Sequence, residues 1–275
     1  MSSETWLAIF DIFLSRYDDV KPKPLKQNLG SITTILVKHY KGAQRSAIQA
    51  AILDAVLPSV IIGEPRSRLK GSLVCLEMFI RKRAILPSEL ISLTRVWLLK
   101  HRQEWLPVFK QHWGSLSEGK SGSDLSVLSE DFTEELAAKV FFLGLLTQTN
   151  NLAMAGTSGS IMASFLRIMK SESPSKQPSE LWVAPVRHVM LQNPDDLEFL
   201  SNSILQPLFT IDPAGFIAFT ESLHLRRIMA GDMTDATQSE YMLLFLSLQM
   251  GKKVNLVNED CEWATMIHFH LQILT

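Results

Sequence analysis

Residues 66–83 read RSRLKGSLVCLEMFIRKR and carry the apolar periodicity of an α-helix. The apolar side chains at i, i+4, i+7 and i+11 are Leu69, Leu73, Leu76 and Ile80. Positions with this spacing form one stripe of a helix. The polar side chains that fall mostly off the stripe are Arg68, Lys70, Ser72 and Glu77. The stretch therefore predicts a half-buried helix with a charged outer side.

Stretches of similar length and character flank it on both sides. Pro24 suits the first turn of an earlier helix, and Pro87 suits the first turn of a later one. Between these two prolines helix starts recur about every 20 residues, so that a hairpin takes about 40, which is the period of HEAT and armadillo arrays. The spacing predicts an all-α protein built as a HEAT/armadillo-like α-solenoid.

Charge divides the chain into two halves. Residues 1–113 hold 17 Lys and Arg against 9 Asp and Glu, a net charge of +8, and residues 114–275 hold 10 against 19, a net charge of −9. The stretch GSLSEGKSGSDLSVLSE at 114–130 is typical of a loop or linker. We expect basic helical repeats over 1–113, this linker, and acidic helical repeats over 131–275.

Three later segments are less regular. Residues 155–159 are small and predict another loop, and the run YMLLFLSLQM at 241–250 predicts either a central buried helix or a strand. A last helix is expected over 259–274. The apolar ending MIHFHLQILT lacks the polar closing helix of a solenoid, so we expect a truncated array or a terminal face covered by a partner.

The composition is that of a globular protein, with 46% apolar and 20% charged residues. Cys75 and Cys261 are the only cysteines, which favours an intracellular protein with reduced thiols. The N-terminal MSSETWLAIFDIFL lacks the basic region of a signal peptide, and no uninterrupted apolar run approaches the roughly 20 residues of a membrane span. We predict a cytoplasmic or nuclear location without membrane contact.

The sequence lacks the motifs GxGxxG, GxxxxGK[ST], HExxH and GxSxG. GTSGS at 156–160 resembles a nucleophile elbow only superficially, because its glycines are misplaced and no strand leads into it. His268 and His270 lack a third ligand at metal-binding spacing. His101 and Glu104 lie one helical turn apart and predict an exposed ion pair. The expectation is a protein without catalytic, cofactor or metal sites.

One constellation suggests a binding site, and it is basic. The candidate contacts to a polyanion or a partner are Lys41, Arg66, Arg68, Lys70, Arg81, Lys82, Arg83, Lys100 and Arg102. If consecutive helices stack in layers, Lys41, Arg83 and residues 100–102 are expected to collect along an edge that faces phosphates. The alternatives are solvated cations that complement helix C-termini, and contacts to an acidic protein partner.

The blocks AILDAVLPSVIIGEPRSR at 51–68 and LKGSLVCLEMFIRKRAILPSELI at 69–91 resemble the large helical-repeat proteins of the thyroid adenoma-associated (THADA) type. The resemblance covers at most about residues 25–110 and consists of apolar helical pattern with a basic turn. Proteins of that type regulate a tRNA 2′-O-methyltransferase that acts in the anticodon loop. The resemblance implies a role in tRNA modification and a methyltransferase partner, although the present chain is far shorter.

The sequence is compatible with three functions. The first is a non-enzymatic scaffold or regulatory subunit that supports tRNA 2′-O-methylation. The second is an adaptor in nuclear transport or ribosome assembly whose acidic residues 114–275 hold a basic protein partner. The third is an enzyme with a site that no motif reveals, for example on the small-residue segment 155–159.

Overall fold

The computed structural model describes residues 2–17, 22–116, 132–147, 152–174, 178–230 and 235–253, and all regular structure in these ranges is helical. The predicted all-α class is therefore confirmed. The first helices are α1 Ser3–Ser15, α2 Pro22–His39, α3 Gly42–Leu57, α4 Arg66–Arg81, α5 Pro87–Lys100 and α6 Arg102–Leu116. They are followed by α7 Glu134–Thr147, α8 Leu152–Glu172, α9 Ser179–Leu191, α10 Leu197–Leu200, α11 Gln206–Ile211, α12 Pro213–Ala230 and α13 Asp235–Lys253.

The helices pack in two rows. In the first row α1, α3, α5, α7, α9 and α12 each pack against the next one. In the second row α2 packs on α4, α4 on α8, and α8 on the segment that includes α11, beyond which lies α13. Alternate helices of the chain therefore lie side by side, and successive helices of a hairpin belong to different rows.

Helix α6 departs from this order. Its main partners are α9, the turn that follows α3, and α5, whereas α4 and α8 pack directly on each other. Ser160 of α8 donates a hydrogen bond of 3.0 Å to the Glu77 carboxylate of α4. Helix α6 also extends to Leu116, so residues 114–116 are helical and do not belong to the predicted linker. The remainder of that linker lies outside the described residues.

The central part of α4 is buried on all sides. The predicted stripe of Leu69, Leu73, Leu76 and Ile80 is in the core. Ser72 is also buried, and Glu77 is only 9% exposed. The expected charged outer side of this helix is therefore wrong for its middle, because α8 covers the face that α1 and α2 leave open.

Two π turns interrupt the helical rows, Pro58–Ile62 after α3 and Ser201–Leu205 between α10 and α11. Helix α3 ends at Leu57, and Pro58 opens a wider turn that stops at Gly63, whose φ of 87° is in the left-handed region. Pro207, which lacks an N–H, cannot donate to the Ser203 carbonyl in the usual helical manner. A Cβ on Gly159 would collide with this carbonyl oxygen, so only glycine fits there.

The small residues at 155–159 are therefore not a loop. They lie inside α8, where Ala155, Ser158 and Gly159 are buried against neighbouring helices. Ser158 donates a hydrogen bond of 3.2 Å to the Leu145 carbonyl of α7. The prediction of a loop was wrong because small side chains here serve close helix packing instead of chain flexibility.

The apolar run at 241–250 is helical and lies in α13. Leu243, Leu244 and Leu248 are buried, whereas Met242 and Phe245 are exposed. The alternative of a strand was wrong, and the helix buries one side only. The helix expected over 259–274 lies outside the described residues.

Among the described residues, one continuous helical stretch, Gly42–Ile62, is long and apolar enough to cross a membrane by length and composition alone. Half of its most apolar window is buried in the fold, and core helices of soluble proteins pass the same test. The absence of membrane contact therefore stays a prediction.

Candidate functional site

The basic residues at the start of α4 lie close to α1. Arg68 Nη2 is 2.8 Å from the Asp11 carboxylate, and Lys70 Nζ lies over the Tyr17 ring, 5.6 Å from its centroid. Arg66, the first residue of α4, is exposed. Two of these three predicted contacts are thus engaged within the fold, Arg68 by α1 and Lys70 by Tyr17, which follows α1.

Arg81 lies at the end of α4 and belongs to a network around Glu77. The Glu77 carboxylate is 3.4 Å from Arg81 and 3.8 Å from Lys26 of α2, and it accepts the hydrogen bond from Ser160 of α8. Its side chain is only 12% exposed. Arg81 therefore balances a carboxylate that joins three helices of the second row.

The turn between α4 and α5 is fastened to the start of α3. Arg45 Nη2 donates hydrogen bonds of 2.7 Å and 2.9 Å to the carbonyls of Arg83 and Ala84. Gln49, one turn further along α3, donates a bond of 2.7 Å to the Ala84 carbonyl. Lys41 lies one turn before Arg45. These bonds hold the turn before α3 and the turn before α5 at one place on the surface.

Three exposed side chains at this place form what we call the basic corner: Lys41, Lys82 and Arg83. None of the three side chains has a hydrogen-bonding or ionic partner within the described residues. Helix α3 begins here without an acidic residue in its first turn and without a side-chain cap. Its dipole therefore adds positive potential to that of the three cations.

Lys100 and Arg102 do not join the basic corner. Helix α5 starts beside the corner and its 14 residues span about 20 Å, so Lys100 lies at its far end. There Lys100 Nζ is 3.4 Å from the Asp54 carboxylate of α3. The predicted continuous edge is therefore divided, because successive helices of a hairpin run in opposite directions and alternate turns lie at opposite ends.

Sequence reasoning missed a second surface, which we call the acidic groove. It lies between α1 and α3 and has a volume of about 490 Å³. Its charged lining residues are Glu4, Asp11, Asp54 and, from α4, Arg68. The available signal was the pair Glu4 and Asp11, which are seven residues apart and share one face of α1 with Ala8 between them.

The described residues hold no group of three or more His, Cys, Asp or Glu side chains that could bind a metal ion. Burial raises the pKa of the Cys75 thiol far above its ordinary value, since desolvation disfavours the thiolate. The GTSGS segment lies within α8. These residues therefore do not assemble an evident nucleophile or metal centre.

The interaction predicted for His101 and Glu104 is confirmed as a contact. His101 Nδ1 lies 2.9 Å from Glu104 Oε1, and the His101 ring stacks on Trp97 with centroids 4.8 Å apart. The contact stabilises the junction of α5 and α6. His268 and His270 lie outside the described residues.

Comparisons with protein-family models, with curated proteins and with solved structures give no match for this chain. A functional assignment must therefore be argued from the surfaces of the molecule itself.

Proposed function

We propose that the chain is a non-enzymatic α-solenoid scaffold that binds a polyanion, with tRNA as the leading candidate, at its basic corner. The observation that carries the proposal is the convergence of Lys41, Lys82 and Arg83 around a junction fixed by Arg45. Cations that are exposed and unpaired release counterions when they contact phosphates, which drives binding to nucleic acids.

The two rows of helices support the solenoid. Each row places alternate helices side by side, which is how helical hairpins stack in arrays of this class. Helix α6 lies outside the second row, where α4 packs directly on α8. A stack of hairpins presents its inter-helix turns along its edges, and the basic corner is formed from two such turns.

The choice of tRNA among polyanions comes from the resemblance to proteins of the thyroid adenoma-associated type. The block at 69–91 that carries the resemblance includes Lys82 and Arg83. A regulatory subunit of a tRNA 2′-O-methyltransferase needs to hold tRNA, the enzyme, or both. The proposed role is therefore to position tRNA for a methyltransferase partner.

The test is binding of bulk tRNA to the purified chain across a salt series. The triple variant Lys41→Ala, Lys82→Ala, Arg83→Ala is expected to bind at least about ten-fold more weakly at low salt. The slope of log affinity against log salt should become shallower by about 2 to 3, since each lost phosphate contact removes roughly 0.7 to 0.9.

A matched control carries Arg68→Ala, Lys100→Ala and Arg102→Ala, which removes the same charge outside the basic corner. This control should keep most of the affinity. Equal weakening in both triple variants would mean that overall charge, and not the basic corner, determines tRNA affinity. Absence of tRNA binding by the wild type at low salt would also exclude the corner as a tRNA site. Stimulation of methyl transfer to tRNA by a candidate enzyme then tests the regulatory role.

A further inference from the structure

The acidic groove is an open surface between two adjacent helices. Its floor consists mainly of small apolar side chains, namely Leu7 and Ala8 of α1 and Ala51 and Ala55 of α3. Ile12 is 61% exposed and lies one turn beyond Ala8, so it extends the apolar line along α1. Small side chains on two adjacent helices leave room for the ridge of a third helix.

The carboxylates around the groove already attract cations of the chain itself. Asp11 is paired with Arg68, and Asp54 is paired with Lys100. Glu4 has no ionic partner among the described residues. Three carboxylates against two cations leave one net negative charge beside an apolar floor.

The pair at Asp54 is open to exchange. The Lys100 side chain is 63% exposed and that of Asp54 is 52% exposed. Exposed pairs of this kind contribute little to stability, because solvent screens them and long side chains lose conformational entropy. A cation from a partner can therefore replace Lys100 on Asp54 while another pairs with Glu4.

We propose that the acidic groove binds an amphipathic helix of a protein partner, with an apolar stripe on the floor and Lys or Arg side chains beside Glu4 and Asp54. Recognition of a helix in an apolar groove uses anchors at i, i+3 or i+4, and i+7. The net negative charge disfavours nucleic acid at this surface.

The proposal is independent of tRNA binding. Asp54 lies 12 residues along α3 from Gly42, a rise of about 18 Å, so the groove and the basic corner occupy opposite ends of that helix. The charge of the sequence predicted a basic partner at the acidic residues 114–275, whereas the groove lies within the basic residues 1–113. A variant at one surface can therefore leave the other intact.

The experiment selects peptides of about 16 residues from a displayed library of helical sequences on the purified full chain. The expected peptides have an apolar stripe and flanking Lys or Arg. A synthetic copy of the most enriched peptide should bind Ala8→Trp at least about ten-fold more weakly, because the indole fills the groove. Glu4→Lys should weaken binding about two- to five-fold.

Ala214→Trp, an exposed substitution on α12, serves as the control and should bind the peptide as the wild type does. Circular dichroism verifies that each variant is folded, and tRNA affinity should be unchanged in Ala8→Trp. The proposal is overturned if no peptide is enriched, if the enriched peptides lack cations, or if Ala8→Trp binds them normally. The wild type could instead self-associate, with Ala8→Trp abolishing the self-association. That result would assign the groove to a second copy of the chain and contradict the proposal of a different protein partner.

Discussion

The basic corner and the acidic groove lie at opposite ends of α3 and differ in whether their cations are paired with carboxylates. At the corner Lys41, Lys82 and Arg83 stay exposed and unpaired among the described residues. At the groove Arg68 and Lys100 are held by carboxylates. Both surfaces belong to the half of the sequence with a net charge of +8.

The difference shows that net charge alone does not locate a binding surface. The sequence offered nine basic residues as candidate contacts, but the fold pairs Arg68, Arg81 and Lys100 with carboxylates from the same half of the chain. What distinguishes a candidate site is the charge that remains after internal pairing. Four sets of substitutions test whether the two surfaces are separate.

The largest effect is expected at the crossing of α1 and α4. A Cβ on Gly71 would lie 2.9 Å from the Leu14 carbonyl oxygen, whereas a Cβ on Gly156 of α8 would meet open space. Gly71→Ala should therefore lower the free energy of unfolding and Gly156→Ala should raise it, with a difference of about 3 kcal/mol between them. Urea denaturation measures both values.

The same pair tests the independence of the surfaces. Helix α1 supplies Glu4, Ala8 and Asp11 to the groove and no residue to the corner. Gly71→Ala should weaken peptide binding at the groove and leave tRNA binding at the corner unchanged. Loss of both activities would mean that the surfaces form one unit.

Arg45→Ala should have the next largest effect, and on the other surface. It removes two charge-assisted hydrogen bonds to the Arg83 and Ala84 carbonyls, with an expected loss of about 2 kcal/mol in the free energy of unfolding. The tRNA affinity should fall with it. Arg45→Lys keeps the positive charge but cannot bond to both carbonyls at once. If its tRNA affinity is closer to that of Arg45→Ala than to that of the wild type, Arg45 is a positioning residue.

Much of the fold follows from local pattern. The apolar stripe of α4 and the prolines near helix starts predicted helices because periodicity and capping act within a few residues. The displacement of α6 and the burial of Glu77 were not predictable, since both depend on which distant helices pack together. The helical state of residues 155–159 was not predictable, because small residues suit loops and close helix contacts equally.

The candidate site was predictable only in part. Lys41, Lys82 and Arg83 were identified as cations at turns, but their meeting depends on the bonds of Arg45 across 38 and 39 residues. The pairing of Lys100 with Asp54 spans 46 residues. Contacts of such sequence separation follow from topology, which single-sequence periodicity does not specify.

A smaller effect separates charge from stability at the corner. Arg83 has a φ of 52°, a conformation that non-glycine residues adopt at a free-energy cost, whereas Lys82 has a φ of −86°. Arg83→Gly should therefore raise the free energy of unfolding by about 0.5 to 1 kcal/mol, and Lys82→Gly should lower it by a few tenths. Both variants should bind tRNA more weakly, because each loses one cation.

This pair of variants has a clear failing outcome. If tRNA affinity followed stability instead of charge, Arg83→Gly would bind tRNA as well as or better than the wild type. The charge of Arg83 would then not contribute to tRNA binding. Titration with tRNA at two salt concentrations, beside urea denaturation of the same samples, distinguishes the two cases.

The smallest change in stability is expected for Lys100→Ala, and it bears on both surfaces at once. Its exposed pair with Asp54 should contribute less than about 0.5 kcal/mol to the free energy of unfolding. If the groove accepts a cation from a partner, removal of Lys100 frees Asp54, and affinity for the selected basic peptide should rise by up to about two-fold. The tRNA affinity should stay within error of the wild type, because Lys100 lies far from the corner. A fall in tRNA affinity as large as that of Lys82→Ala would show that Lys100 and the basic corner belong to one tRNA-binding edge, and would contradict the separation of the two surfaces.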